Sequence, residues 1–273
     1  MAYCGKHTFS LIILLIAAIF AVAAASQYAI LPAICLAEEG PGAENSEEMA
    51  SYTTSFASSG TGRGNGVGVA AAALDGSAVQ RGQERSFDAA GGGGTTERGY
   101  AVAKVIVDGE YVEGVGGGVC QVSSTLYNAW VLAGLDVVRV QGHSLPSGYV
   151  PMSQDATVSE YIDLVLKNDM AFPVQVRTKT DGTDLNIAVF GKKQSFKVTL
   201  LPEILSVVPA GEDIEYVDSL PEGKNYVIAR RPRQGYRTRL VATYTYSDGR
   251  VVKKQLRRDF YRPTDTKILM IAD

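Results

Sequence analysis

Cysteine and histidine are scarce in this chain of 273 residues, which contains three cysteines and two histidines. A structural zinc site takes four closely spaced ligands, mostly of these two types, and no such spacing occurs. We therefore expect no metal site and no cofactor. The formal net charge of -3 is also small, which gives no indication of nucleic acid as a partner.

The N-terminal residues carry the pattern of an export signal. Lys6 precedes an apolar run over residues 11–25, and acidic residues begin at Glu38. A short basic start followed by an apolar stretch and small residues is typical of a signal peptide, and the run also approaches the length of a membrane span. We expect residues 1–37 to be a signal peptide or an N-terminal membrane anchor. Either way, the charge asymmetry places the remainder outside the cytoplasm, in the cell envelope or secreted.

The predicted export limits the roles that the cysteines can have. Cys4 and Cys35 lie within residues 1–37, so that cleavage after Ala37 leaves Cys120 alone. A single cysteine in an exported protein cannot form an internal disulfide. It is then either a buried, inert residue or a reactive thiol.

Beyond the targeting segment, the chain divides into a mixed part and a strand-rich part. Residues 38–50 are acidic and small, which predicts a flexible linker. Helical and strand patterns mix over residues 51–192, which indicates an α+β domain. Residues 196–273 show alternating patterns between proline and glycine turns and no helical period. For them we expect a small, elongated, antiparallel β domain.

Several segments of the mixed part resemble the VanW family of bacterial exported proteins. They include "GVGGGVCQVSSTLYNAWVLAGLDVV" from Gly114, "GHSLPSGYVP" from Gly142 and "DATVSEYIDLVLKND" from Asp155. The similarity extends from about Tyr52 to Gly191. It implies a cell-wall setting and, through the family's name, a connection with vancomycin resistance, but it does not imply a reaction.

The strand-rich part resembles a G5 domain, since Gly223, Gly235 and Gly249 match three glycines of that family. The resemblance implies binding to N-acetylglucosamine-containing polymers such as peptidoglycan, or a role as a cell-surface spacer. A basic segment, "ARRPRQGYRTR", offers charge and an aromatic ring for such a glycan. Its candidate glycan-binding residues are Arg233, Tyr236 and Arg237. The alternative is an ordinary solvated strand face.

The segment around Cys120 has features of a nucleophile site. Apolar residues at helical spacing predict a helix that begins at Gln121, and its free N–H groups and positive dipole end favour a thiolate at the preceding residue. The Gln121 amide can donate to a developing oxyanion. His143 is the only histidine after the targeting segment, and Asp155 follows it. Together these residues supply the members of a Cys-His-Asp catalytic site.

Two interpretations of this set stay open, and they predict different functions. In the first, the chain is an exported VanW-type protein that binds or modifies peptidoglycan as a cysteine-dependent hydrolase or acyltransferase. In the second, Cys120 is a small packed residue while His143 and Asp155 fix loops. The protein is then a non-enzymatic cell-wall-binding or scaffold protein with a G5-like glycan-binding module. The family's name adds a third function, that of an accessory factor in glycopeptide resistance or stress.

Overall fold

A computed structural model of the protein describes residues 46–57, 61–92, 94–107 and 110–271. The predicted targeting segment, residues 1–37, and residues 38–45 of the predicted linker lie outside these ranges. Within them, no helix has both the length and the apolar character needed to cross a membrane.

The largest sheet of the mixed part has four antiparallel strands in the order β1-β9-β8-β2. Its strands are β1 (Glu47–Ser55), β2 (Ala78–Val79), β8 (Val174–Thr180) and β9 (Asp184–Gly191). The linker prediction is wrong for residues 47–50, because they form the start of β1. There Met49 and Ala50 pack against the core, and the backbone pairs with β9.

Two smaller sheets complete the strands of this part. One has the order β3-β7-β6 and consists of β3 (Glu84–Ser86), β6 (Asp136–Arg139) and β7 (Val165–Lys167). The other is an antiparallel hairpin of β4 (Val102–Val107) and β5 (Glu110–Val115). Short helical turns lie between β3 and β4, at Asp88–Gly92 and Thr96–Arg98.

Two helices of 14 residues each pack against the four-stranded sheet and against each other. They are α1 (Thr61–Leu74) and α2 (Val119–Leu132). Between Val119 and Val131, every residue of α2 except Cys120 is buried. A helix buried all around is a core element rather than an amphipathic surface helix. The α+β prediction is thus confirmed in part, since the described residues are mainly strands around these helices.

The strand-rich part contains no helix within residues 196–271. Three antiparallel strands form one sheet in the order β10-β13-β14. They are β10 (Phe196–Val208), β13 (Gly235–Tyr246) and β14 (Val251–Tyr261). The second sheet has the order β11-β15-β12. Its strands are β11 (Glu212–Val217), β12 (Tyr226–Arg230) and β15 (Thr266–Ile271).

The prediction of a wholly antiparallel β domain is wrong at one strand pair. β11 and β15 are parallel, whereas β12 and β15 are antiparallel. The physical reason is connectivity. Parallel neighbours need a long crossover connection, and here β12, β13 and β14 provide it, so that β15 returns beside β11 in the same direction.

Side-chain and backbone hydrogen bonds join the two parts, and all described residues belong to one compact unit. The side chains of Ser153 and Thr238 are hydrogen bonded at 2.7 Å, and the backbone N–H of Arg262 donates to the carbonyl of Ser144 at 3.1 Å. A Cβ at Gly134 would lie 2.5 Å from the ring of Phe196, so the chain needs glycine there. Independent folding of residues 51–192 and 196–273 stays a prediction, which limited proteolysis between them tests.

Candidate functional site

A glycine turn places Cys120 in the first turn of α2. Gly118 caps the helix with a φ of 102°, in the region that favours glycine, and the helix begins at Val119. A Cβ on Gly118 would lie 2.6 Å from the carbonyl oxygen of Arg63 in α1. The glycine therefore lets the N-terminal ends of both helices approach closely. The helix starts two residues earlier than predicted, so the sulfur belongs to a residue inside it.

The Cys120 side chain is partly exposed, and its thiol donates to the carbonyl of Val158 at 3.4 Å. Two neighbouring serines connect α2 with the loop that carries Asp155. Ser124 Oγ donates to the carbonyl of Cys120 at 2.6 Å and accepts from the N–H of Ala156 at 2.9 Å. Ser123 Oγ donates to the carbonyl of Ala156 at 2.6 Å. Both serines are fully buried, so they hold the position of this loop against the helix.

His143 and Asp155 form a buried pair. Asp155 Oδ2 lies 2.8 Å from Nδ1 of the imidazole and accepts a second hydrogen bond, of 2.6 Å, from the backbone N–H of His143. The two side chains are only 7% and 1% exposed. With Nδ1 engaged by the carboxylate, the ring orientation is set, and Nε2 is the nitrogen left for another partner.

The charge state of His143 depends on both Asp155 and Cys120. Burial lowers the pKa of His143, but the hydrogen bond with Asp155 and the interaction with Cys120 outweigh it and raise the pKa to about 9. Burial raises the pKa of Asp155, but its hydrogen bonds and the charge of His143 lower it below the ordinary value. The structure thus brings together Cys120, His143 and Asp155, three residues that the sequence separates.

A residue of the strand-rich part reaches the same carboxylate from its other side. The hydroxyl of Tyr261 donates to Asp155 Oδ1 at 2.6 Å and accepts from the backbone N–H of Ser153 at 2.6 Å. Arg257 Nη1 donates to the backbone carbonyl of Asp155 at 2.7 Å and is ion-paired with Asp259. Each Asp155 oxygen therefore has a fixed partner. No feature of the sequence indicated Tyr261, because it lies 106 residues from Asp155.

Gln121 does not have the role that the sequence suggested. Its side chain is 1% exposed, and its amide nitrogen donates to Thr54 Oγ1 and to the carbonyl of Ser55, each at 3.0 Å. Both amide hydrogens are therefore occupied, which leaves none for an oxyanion. The prediction of Gln121 as an oxyanion donor is wrong for this arrangement. Its Oε1 instead accepts from Arg63.

Two residues that the sequence analysis missed, Tyr149 and Arg63, lie near this site. The ring of Tyr149 stands edge-on to His143, with centroids 6.4 Å apart, and the guanidinium of Arg63 lies 5.1 Å from the Tyr149 ring centroid. Burial and the charge of Cys120 raise the pKa of Tyr149, while Ser124 and Arg63 oppose the shift. Tyr149 follows His143 in "GHSLPSGYVP", and that proximity in sequence was the available signal.

The predicted glycan-binding residues do not form one surface. Tyr236 and Arg237 are consecutive in β13, and consecutive strand residues point to opposite faces of a sheet. Arg237 lies over the ring of Phe260 at 4.4 Å, whereas Tyr236 is paired with Tyr261. Arg233 lies before the strand, in a backbone bridge with Thr264. The grouping of these three residues is therefore wrong.

Among the residues that the structure describes, no three or more His, Cys, Asp or Glu side chains are arranged to hold a metal ion. An open cavity of 260 Å³ lies where the two parts meet, away from the thiol. Its lining includes Asp136, Asp169, Tyr244 and Lys254.

Two solved G5 domain structures are similar to a portion of this chain. The G5 domain structure of HP0197 covers 28% of this chain and 99% of its own, at 19% identity and a TM-score of 0.17. An IgA1 protease G5 domain structure covers 30% and 98%, at 13% identity and a TM-score of 0.21.

The chain also has a relative in sequence. The uncharacterized protein YoaR of Bacillus subtilis (strain 168) is 35% identical over 167 residues, which are 60% of this chain and 55% of YoaR. The alignment thus spans little more than half of that relative. The family described as VanW like protein matches residues 62–190, a range that includes Cys120, His143 and Asp155. The chain therefore contains a VanW-family domain over residues 62–190, as its sequence resemblance predicts.

Proposed function

We propose that this chain is an exported cell-envelope protein that modifies peptidoglycan through a thiol site formed by Cys120, His143 and Asp155. The VanW-family domain supports association with the cell wall. The observation that carries the catalytic part is the buried Asp155–His143 pair beside a partly exposed cysteine at a helix N-terminus. A nucleophile, a base and a residue that orients the base are the components of covalent acyl transfer.

The proposed reaction cleaves an amide bond in two steps. Cys120 Sγ attacks the carbonyl carbon, a C–S bond forms, and the C–N bond breaks while the leaving nitrogen takes a proton from His143 Nε2. Water, or an amine in the acyltransferase version, then attacks the thioester and gives its proton to His143. The C–S bond breaks, and the thiolate and imidazolium return. Atoms and electrons balance without an oxidant or reductant.

Each partner of the cysteine has a defined task in this reaction. With a pKa of about 9, His143 is protonated at neutral pH and acts first as the acid. Asp155 holds the Nδ1 proton and stabilises the imidazolium. Partial exposure of Cys120 lets a carbonyl approach, whereas the other two side chains are shielded from solvent.

Thiol chemistry tests this proposal directly. The folded protein is treated with iodoacetamide at neutral pH, and release of amines from purified peptidoglycan is followed in parallel. We expect Cys120 to be alkylated faster than a model thiol, and Cys120→Ser to lose amine release while it keeps its circular dichroism spectrum. His143→Ala should slow both alkylation and amine release. Alkylation of Cys120 only after denaturation would remove the catalytic proposal.

A non-enzymatic binding function is the second candidate, and one surface favours it. On the face of β13 and β14 that carries Arg237, its guanidinium lies over Phe260, and Arg258 is exposed on the same strand as that ring. Cations combined with an exposed ring suit an anionic wall polymer or a sugar. In this case Cys120→Ala should sediment with insoluble peptidoglycan like the wild type, and Arg237→Ala should not. Loss of sedimentation in Cys120→Ala alone would count against it.

Location outside the cytoplasm stays part of the proposal. It depends on the apolar run and charge asymmetry of residues 1–37. A reporter fused after Asp273 should be active only when it is exported. A reporter that is active solely in the cytoplasm would contradict this placement.

A further inference from the structure

Arg63 carries a positive charge beside the Tyr149 ring, and nothing in the proposed reaction uses it. Its guanidinium is held in place by Gln121 Oε1, which accepts from Nε at 3.2 Å and from Nη2 at 2.9 Å. Gln121 is itself buried and fixed by Thr54 and Ser55. The orientation of the guanidinium is therefore set before any ligand arrives, which lowers the entropy cost of binding.

Within the part of the chain that the structure describes, the charge of Arg63 has no counterion. Among residues 46–57, 61–92, 94–107 and 110–271, no Asp or Glu side chain forms an ion pair with it. Its hydrogen-bond acceptor, Gln121, is neutral, and its other neighbour is the face of the Tyr149 ring. Arg63 is also only partly buried. A fixed, partly exposed guanidinium without a carboxylate partner is suited to a planar anion from solution.

Tyr149 connects this charge with the reactive group. The Tyr149 ring stands edge-on to His143 with the ring centroids 6.4 Å apart, and the guanidinium of Arg63 lies 5.1 Å from the centroid of the same ring. Arg63 and His143, the acid of the proposed reaction, therefore lie against the same ring. An anion held by Arg63 is separated from His143 only by Tyr149.

We infer that Arg63 binds a carboxylate of the substrate, so that the site selects acyl donors with a free carboxylate near the bond to be cleaved, such as the C-terminal end of a peptide. This inference rests on the proposed function and narrows its substrate class. The guanidinium and the carboxylate form a charge-assisted, two-point contact that orients the carbonyl toward Sγ. Arg63 thereby acts as a specificity residue rather than as a member of the acid–base chain.

A pair of alkylating agents measures the preference for a carboxylate that Arg63 is inferred to confer. Iodoacetate carries a carboxylate and iodoacetamide is its neutral analogue, and both react with Cys120 by the same displacement. We expect the ratio of their rate constants, iodoacetate over iodoacetamide, to be higher in the full-length protein than in free cysteine. Arg63→Gln should lower the ratio about tenfold, the size expected for one hydrogen-bonded charge, and leave the iodoacetamide rate nearly unchanged.

Two further variants serve as controls. Arg63→Lys keeps the charge but not the planar fork, so it should keep part of the preference for iodoacetate. Arg81→Gln removes an exposed arginine that has no contact with the site residues, and it should leave the ratio unchanged. Melting curves identify any variant that does not fold. If Arg63→Gln is one of them, the rate ratio of Arg63→Lys is compared with that of the wild type instead.

The outcomes distinguish a failure of the carboxylate inference from a failure of the proposed function. If Cys120 does not react with iodoacetamide in the folded protein, the proposed function fails. If it reacts and Arg63→Gln leaves the ratio unchanged, the proposed function stands and the carboxylate inference is overturned. An equal fall in both rates would also overturn it, because Arg63 would then act on the thiol rather than on a carboxylate. Added salt should reduce the wild-type ratio, since the attraction is electrostatic.

Discussion

The hydroxyl of Tyr261 donates a hydrogen bond of 2.6 Å to Asp155 Oδ1, and the two residues lie 106 positions apart in the sequence. Tyr261 is the last residue of β14 in the strand-rich part, and Asp155 belongs to the VanW-family domain. Both side chains are at most 1% exposed. The orientation of the carboxylate that holds His143 therefore depends on strands outside the family domain.

Replacement of Tyr261 by phenylalanine tests this dependence. Tyr261→Phe removes the donor to Asp155 and the acceptor of the Ser153 N–H, so we expect a stability loss on the order of 2 kcal/mol. It should also slow alkylation of Cys120 and shift the pH profile of that rate, which a purely structural role would not do. Tyr236→Phe is the matched control, since Tyr236 is the cross-strand neighbour of Tyr261 and its hydroxyl forms no hydrogen bond among the described residues. Unchanged alkylation kinetics in Tyr261→Phe would remove its positioning role.

Asp155 sets the protonation of His143 in this structure. Asp155→Asn replaces the carboxylate with a neutral amide, while the burial that lowers the pKa of His143 remains. We therefore expect the pKa of His143 to fall well below about 9. In a His7→Gln background, His143 is the sole histidine of the chain, so the NMR titration of its ring reports this value directly. The same pKa in both proteins would show that Asp155 does not control the imidazole.

The raised pKa of His143 predicts a pH dependence of stability. The pKa in the folded state, about 9, exceeds the ordinary value of 6.5, so the folded state binds the proton more tightly than the unfolded state. The contribution is complete below about pH 6.5 and is lost as pH rises through about 9. Its size is on the order of 3 kcal/mol, since one pKa unit corresponds to about 1.4 kcal/mol.

Denaturant unfolding at a series of pH values measures this contribution. The free energy of unfolding of the wild type should decline between about pH 6.5 and 9, and that of His143→Gln should decline much less. Cys120→Ser should show a reduced decline, because the interaction with Cys120 is one of the causes of the shift. Parallel curves for the wild type and His143→Gln would contradict the assignment to this residue.

Two glycines in α1 provide a matched test of the helix contact behind the site. A Cβ on Gly66 would lie 2.0 Å from the carbonyl oxygen of Gly117, whereas a Cβ on Gly68 would have no atom within 4 Å. Gly66→Ala should therefore cost about 3 kcal/mol or more, because backbone must move. Gly68→Ala should stabilise by about 1 kcal/mol through helix propensity. Thermal unfolding distinguishes them, and equal melting temperatures would show that the helices do not meet at Gly66.

Local sequence patterns were sufficient for the elements that depend on local physics. Apolar residues at helical spacing predicted the helix that carries the thiol, although it begins at Val119, two residues earlier than expected. The strand pattern after residue 196 predicted a helix-free part. Periodicity and turn chemistry act over a few residues, so a single sequence contains them.

The sequence by itself also determined which residue types are available for chemistry. It has one cysteine and one histidine after residue 37, namely Cys120 and His143, so any thiol–imidazole site formed there must use that pair. That these two residues meet, with Asp155 behind the ring, depends on packing between α2 and two loops. Such contacts are non-local and have no periodic signature.

Tertiary structure alone decided the remaining assignments. Gln121 follows the cysteine directly, yet its amide is buried against β1, where its hydrogen bonds are made to Thr54 and Arg63. Tyr261 contributes to the site only because β14 packs against the family domain. The side-chain partners of a buried polar group depend on which segments the fold brings within about 3 Å of it, and distances along the chain do not contain that information.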